Sequence, residues 1–173
     1  MSIHIIIDGY NLIRQSNTLS MIDNQDIELG RAALLEALIA YRKIKPHMIT
    51  VVFDGTNAPP FSQRKNRVQG ITIRFSRSGE VADAVIKRMV SREKEKALVV
   101  SSDLDIVNFA AVQGAATISS SEFEEKISQV IYMKEKGVES DEDSGWVPTT
   151  KKKGPSKRLS RRKRRNKSKI RKL

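Results

Sequence analysis

Ile3-His4-Ile5-Ile6-Ile7-Asp8-Gly9-Tyr10-Asn11 carries a β-branched apolar run straight into an aspartate and a glycine, and this block decides how the rest of the chain is read. Such a run is long enough for a strand and apolar on both faces, as strands buried between two layers of helices are. Four more runs of the same kind follow: Ile49 to Phe53, Ile71 to Phe75, Ala97 to Val100 and Ala115 to Ile118. Helical patterns separate them over Asp26 to Lys43, Val81 to Val90, Leu104 to Val112 and Ser121 to Met133, the last opened by the capping-type Ser121-Glu122-Phe123-Glu124. Alternating strands and helices specify an α/β fold with a mainly parallel central sheet flanked by helices.

The chain has 173 residues and a formal charge of +12, but the charge is not evenly spread. Of the 32 Lys and Arg, 14 lie in residues 151–173, which contain no acid, leaving 18 bases against 20 acids in residues 1–150. The body is therefore nearly neutral and long enough for one core, and the high isoelectric point belongs to its tail. Residues 137–173 turn from acidic (Glu139 to Asp143) to basic and are too polar to bury a core. They are expected to form a disordered extension of a domain spanning residues 1–136, with Trp146 and Val147 as an isolated apolar spot. Gly55 to Gly70, with Pro59-Pro60, is long for a connection inside a compact domain, which points to function or disorder. There is no cysteine, which excludes disulfides, thiolate metal sites and a cysteine nucleophile. No run is longer than a strand and no basic leader precedes Ile3. A soluble, cytoplasmic protein, monomeric by default, is the expectation.

Ligands of open parallel sheets bind at the carboxyl ends of the strands. Here acids occupy those places: Asp8, Asp54 and Asp103 follow strands, Asp105 comes two residues later, and Glu80 and Asp83 open a helix on one face. Each has an ordinary alternative. Asp8-Gly9 and Asp54-Gly55 are turn pairs, Asp103 is a helix cap, and Glu80 and Asp105 suit a helix N-terminus. Together, however, they deliver carboxylates from four segments to one edge. Like charges gathered there repel unless a cation joins them, and hard oxygen donors without Cys or His suit Mg²⁺ or Mn²⁺. Asn11 stands ready to bond a phosphate, a metal-bound water or Asp8, or to cap a helix. Ser101 and Ser102 are placed to orient Asp103, contact phosphate or cap the next helix. His4 and His47 lie away from that edge. Metal-assisted phosphodiester hydrolysis fits this set best.

Ile6-Ile7-Asp8-Gly9-Tyr10-Asn11-Leu12-Ile13, Val52-Phe53-Asp54-Gly55, Gly79-Glu80-Val81-Ala82-Asp83-Ala84-Val85-Ile86 and Val99-Val100-Ser101-Ser102-Asp103-Leu104-Asp105-Ile106 together resemble the bacterial YacP-like branch of the NYN domains, in the PIN-like nuclease superfamily. The resemblance runs from Ile3 to about Met133. It implies a Rossmann-like PIN/NYN domain and a Mg²⁺- or Mn²⁺-dependent endoribonuclease, with the YacP-like branch acting on mRNA at the ribosome. Under it, Asp8, Asp83 and Asp103 match the metal-binding acids and Asn11 the site asparagine. Asp54 and Glu80 match acids near the site, and Asp105 is a further candidate. The basic tail has no counterpart in that pattern.

An acidic site needs cations nearby to accept a polyanion, and Arg64, Lys65 and Arg67, with Arg74 and Arg77, are the expected phosphate clamp. Tyr10 and Phe61 are candidates for stacking on an unpaired base. Arg161, Arg162, Lys163, Arg164 and Arg165 mark the tail as a binder of messenger or ribosomal RNA. Too few apolar residues accompany them for a membrane-surface helix. Two other readings stay open: an RNA- or ribosome-binding module that keeps the fold without useful catalysis, and a phosphoryl-transfer or receiver domain. The lysine expected after a late strand in a receiver is replaced by Ser119-Ser120-Ser121.

Overall fold

The computed structural model describes residues 3–59, 64–137 and 160–173. Strand β1 (His4–Asp8) runs into helices α1 (Gly9–Gln15), α2 (Asn17–Asp23) and α3 (Ile27–Ile44). Then come β2 (Met48–Phe53), β3 (Lys65–Val68), β4 (Ile71–Phe75), α4 (Ala82–Glu93), β5 (Ala97–Val100), α5 (Leu104–Val112), β6 (Ala116–Ile118), α6 (Ser120–Glu135) and α7 (Arg161–Arg171). The six strands form one sheet in the order β3-β4-β2-β1-β5-β6, parallel except for β3 against β4.

Each buried strand feeds two cores because successive side chains point to opposite faces. Ile5 and Ile7 join Val51, Phe53, Ile73, Leu98 and Val100 under Leu34, Leu38 and Tyr41 of α3 and Phe123 of α6. Ile6, between them in sequence, joins Val52 and Val99 on the other face under Val85, Ile86 and Ile106 of α4 and α5. This is why the first strand shows no polar alternation. The chain leaves β1 for one edge of the sheet and, after β4, crosses to the other by α4. The direction therefore reverses between β1 and β5, and that switch point is where such folds form a crevice.

The strands and long helices lie where periodicity places them, shifted by a few residues at their ends. The cap of α6 is Ser119 rather than Ser121, its hydroxyl accepting from Glu122 N. Three elements escape that reading. α1 and α2 are short and carry too few apolar repeats to show a period; each is started by a side-chain cap, Asp8 and Ser16. β3 is half of a hairpin inside the stretch expected to be a loop; its residues are polar because it is an exposed edge strand.

A further departure concerns the tail. Residues 161–171, assigned by composition to the disordered extension, form α7, while Trp146 and Val147 lie outside the described residues. Ser160 caps this helix, and its few apolar residues are spent on docking: Ile170 packs on the core and Leu173 is 3% exposed within it. Tyr41 OH donates to the Leu173 carbonyl, and the Asn166 amide closes on the edge of β6, accepting from Thr117 N at 2.7 Å and donating to Thr117 O at 3.1 Å. Lys169 reaches the Ala97 carbonyl and Arg165 pairs with Glu95. A basic composition thus hides a helix whose inner face covers a sheet edge. Asn166→Ala would leave both Thr117 backbone groups without these partners and is expected to lower the unfolding free energy by about 1–3 kcal/mol in urea titration. An undocked tail would give no change.

Candidate active site

Asp8 is the last residue of β1 and the N-cap of α1, so strand and helix meet at one carboxylate. The turn is tight enough to require Gly9: a Cβ there would lie 2.3 Å from the Phe53 ring. Asp8 Oδ1 accepts from Asn11 N at 3.4 Å and Oδ2 from the Ser101 hydroxyl at 3.2 Å. The residue is 8% exposed, and burial, reinforced by the charges of Asp83 and Asp103, raises its pKa to about 6 despite those two hydrogen bonds. Asp83, in the first turn of α4, is also raised, by burial and then by Asp103 and Asp105, with Lys87 acting in the opposite direction.

Asp103 caps α5, accepting from Asp105 N at 2.8 Å, while its own N–H donates to Ser101 Oγ at 3.1 Å. Ser101 therefore joins the ends of β1 and β5, donating to one acid and accepting from the backbone of the other. Asn11 has a bracing role. Its Oδ1 accepts from Ser102 N at 2.8 Å and from the Ser120 hydroxyl at 2.7 Å, tying α1 to the β5–α5 turn and to the start of α6. Asp105 is turned to Lys87. Asp8, Asp83 and Asp103 are thus brought within mutual electrostatic range, with Lys87 and Asp105 beside them.

Asp54 and Glu80, expected as further metal-site acids, each have partners of their own, and Asp54 also reaches the Ala82 backbone beside Asp83. Asp54 accepts from Thr56 N at 2.9 Å and Thr56 Oγ1 at 2.6 Å, which lower its pKa, and it caps a single 3₁₀ turn. Glu80 is paired with Arg88 at 2.7 Å and accepts from Arg77 N at 3.2 Å; these lower its pKa and pin the β4–α4 turn. Among the described residues, no three Asp, Glu or His side chains stand close enough to enclose an ion directly. The donor set is all hard oxygen, and two of its three acids are raised partly by their neighbours' charges. This suits a partly hydrated Mg²⁺ or Mn²⁺, which needs only one or two carboxylates and keeps water as its other ligands.

Cations lie along both edges of the sheet. In the β3–β4 register Lys65 lies opposite Arg74 and Arg67 opposite Thr72, so Lys65, Arg67 and Arg74 share the face of Val52. Arg64 and Arg77 are exposed at the ends of this hairpin. Arg161, Arg162, Lys163, Arg164 and Arg165 are exposed on α7, beyond the opposite edge of the sheet. Tyr10, a candidate for stacking on a base, faces inward. It is 7% exposed, its ring 5.1 Å from that of Phe53, and its hydroxyl accepts from Arg31 at 2.8 Å. Its place on the inner side of α1 could be read only after α1 was known. Phe61 lies outside the described residues. Ser120 and Lys87 were missed: a serine among three and a lysine in a charged helix carry no signal until the fold brings them to the acids. His4 lies at the other end of β1, between Glu93 at 2.6 Å and Thr50 at 2.8 Å.

Residues 5–172 match the family described as YacP-like NYN domain, a span that includes α7. Solved structures resemble this one, two of them of the same bacterial protein. Rae1 (YacP) from Bacillus subtilis has 23% identity, 80% of each chain covered and a TM-score of 0.66. A mutant of that protein has 22% identity, 79% of this chain and 80% of the other covered, and a TM-score of 0.64. No curated protein matches the chain.

The raised pKa of Asp8 has a measurable sign. The folded chain holds this proton up to about pH 6, the unfolded chain only to about 3.8, so the stability that this carboxyl contributes is fully present below pH 4 and is lost as pH rises through 6. Asp8→Asn in EDTA is expected to remove that decline and to raise stability at pH 7 by about 2–3 kcal/mol. Equal pH profiles for the two proteins would show that burying Asp8 costs nothing.

Proposed function

From the premise that the chain belongs to the YacP-like NYN domain family, a nuclease-type family, we propose that it is a Mg²⁺- or Mn²⁺-dependent endoribonuclease acting on mRNA, at the ribosome and in the cytoplasm. The observation that supports this most directly is the gathering of Asp8, Asp83 and Asp103 at the switch point of the sheet, where burial and mutual repulsion favour a cation. No helix among the described residues is long and apolar enough to cross a membrane.

Asp8, Asp83 and Asp103 would hold a hydrated metal, one or two of them directly and the rest through its waters, and when bound it supplies a more acidic water and charge compensation at phosphate. The chain's own residues do the positioning. Ser101 fixes Asp8 and the Asp103 backbone together, and Asn11 locks the turn that carries Asp103 to α1 and α6. Lys87 supplies a positive charge beside Asp83 and Asp103. Lys65, Arg67 and Arg74 on one side, and the outer face of α7 on the other, attract the RNA backbone across the acidic middle.

Purified protein with single-stranded and structured RNA plus Mn²⁺ is expected to yield internal cuts that EDTA abolishes and that Asp8→Asn or Asp103→Asn reduces by about 100-fold or more. Cleavage that survives both substitutions would rule out this site. RNA binding without cleavage would make the chain a binding module instead. Reversing Arg161, Arg162 and Arg164 to Glu is expected to weaken RNA binding at least tenfold and to flatten its salt dependence, with little change in cutting of a short oligonucleotide. An unchanged salt slope would remove α7 from the RNA path.

A further inference from the structure

A cleft of about 470 Å³ opens between α3 and the carboxyl ends of β2 and β4. Its size and its mixture of apolar wall and few polar groups are those of a small-ligand site. Phe53, Phe75 and Leu35 supply the apolar wall, and Glu28, Arg31 and Asn66 the polar groups. Arg31 is 6% exposed, and its guanidinium lies 5.7 Å from the centroid of the Phe75 ring, itself stacked on Phe53 at 5.8 Å. Its hydrogen bond to Tyr10 OH and its contact with Glu28 at 3.7 Å hold it in place. The buried guanidinium fixes the Phe75 ring from behind, so the cleft keeps a rigid apolar wall with the Asn66 amide at its rim, and a flat base fits such a wall by apolar and edge contact.

Two observations tie the cleft to the acids. Phe53, its inner wall, packs so closely on Gly9 that no Cβ fits there, and Gly9 follows Asp8. On β3, Asn66 faces the cleft, while Lys65 and Arg67, its neighbours in sequence, share the opposite face with Arg74. A single strand crossing this edge would meet an amide on one side and cations on the other.

We infer that the cleft seats one unpaired nucleobase of the RNA, a fixed number of nucleotides from the phosphodiester held at Asp8. This rests on the ribonuclease reading, and it makes the cleft, rather than Tyr10, the base-reading element. Ala32 is exposed on α3 and lines the cleft, so a larger side chain there fills it without entering the core.

The test uses the full chain, Ala32→Phe, and Ala32→Ser as a control of unchanged bulk. In EDTA, RNAs with 2-aminopurine placed at successive positions are expected to change fluorescence on binding at one position only, with Ala32→Phe abolishing the change and Ala32→Ser keeping it. In Mn²⁺, an abasic nucleotide at that position is expected to lower kcat/KM about tenfold or more in the native chain and to have no further effect in Ala32→Phe. Titration with free nucleoside monophosphates, followed by amide shifts around Ala32, probes the cleft apart from cleavage. Cutting with equal response at every position would overturn the cleft and leave the nuclease standing. A position-specific response without cutting would do the reverse. Neither a monophosphate shift nor a position-specific signal would also overturn the cleft.

Discussion

Mutual repulsion among Asp8, Asp83 and Asp103, added to the burial of Asp8, is the constraint around which this edge of the molecule is arranged. A carboxylate that is 8% exposed beside two others would relax by rotating toward water if nothing fixed it. Two hydrogen bonds, from Asn11 N and the Ser101 hydroxyl, hold it, and both are too weak to restore an ordinary pKa. The same Ser101 oxygen accepts from Asp103 N, so the two acids are fixed relative to each other by one atom. Asn11 extends the brace through Ser102 and Ser120, from α1 to α6. The site is therefore held apart and in register by neutral groups, which leaves its negative charge uncancelled.

That arrangement needs the fold's particular connectivity. β1 lies between β2 and β5, and only the reversal of direction there lets residues after β1 and after β5 approach with α4 crossing above them. The two cores on either face leave β1 little freedom to shift, since a slip of one residue would put Ile6 among the α3 contacts and Ile5 and Ile7 among those of α4. α7 then closes the far edge by pairing Asn166 with Thr117, blunting an edge that a short strand alone would expose.

The parallel core was legible because its strands are apolar on both faces and its long helices keep a period. The acids at strand ends were legible because topology, rather than contact, puts them on one edge. Division of labour among those acids was not. Asp54 looks like Asp8 in sequence, an aspartate before glycine after an apolar run, yet its main partners are Thr56 N and Oγ1 two residues away, whereas Asp8 meets Ser101 from a distant strand. Glu80 is separated from the acids by a pairing with Arg88. α7 was hidden for a different reason: composition averages over the helix, whereas docking depends on Asn166, Ile170 and Leu173 alone.

Distance decides what the cations can do for the acids. Strands in a sheet are about 4.8 Å apart, so β6 lies roughly 10 Å from β1 and β3 roughly 14 Å, with α7 farther out than β6. Physiological salt screens exposed charges over about 8 Å. The outer bases of α7 and those of the hairpin therefore stand beyond the range at which they would neutralise Asp8, although they can still meet a polyanion that spans the edge. Among the described bases, Lys87 alone appears among the charges that act on Asp83, and it is shared with Asp105. A single shared lysine leaves the centre net negative, so a phosphate drawn in by the two basic flanks would be repelled at the last step. Under the proposed ribonuclease reading a divalent cation between the acids would remove that repulsion, and the separation of acids from bases leaves room for it.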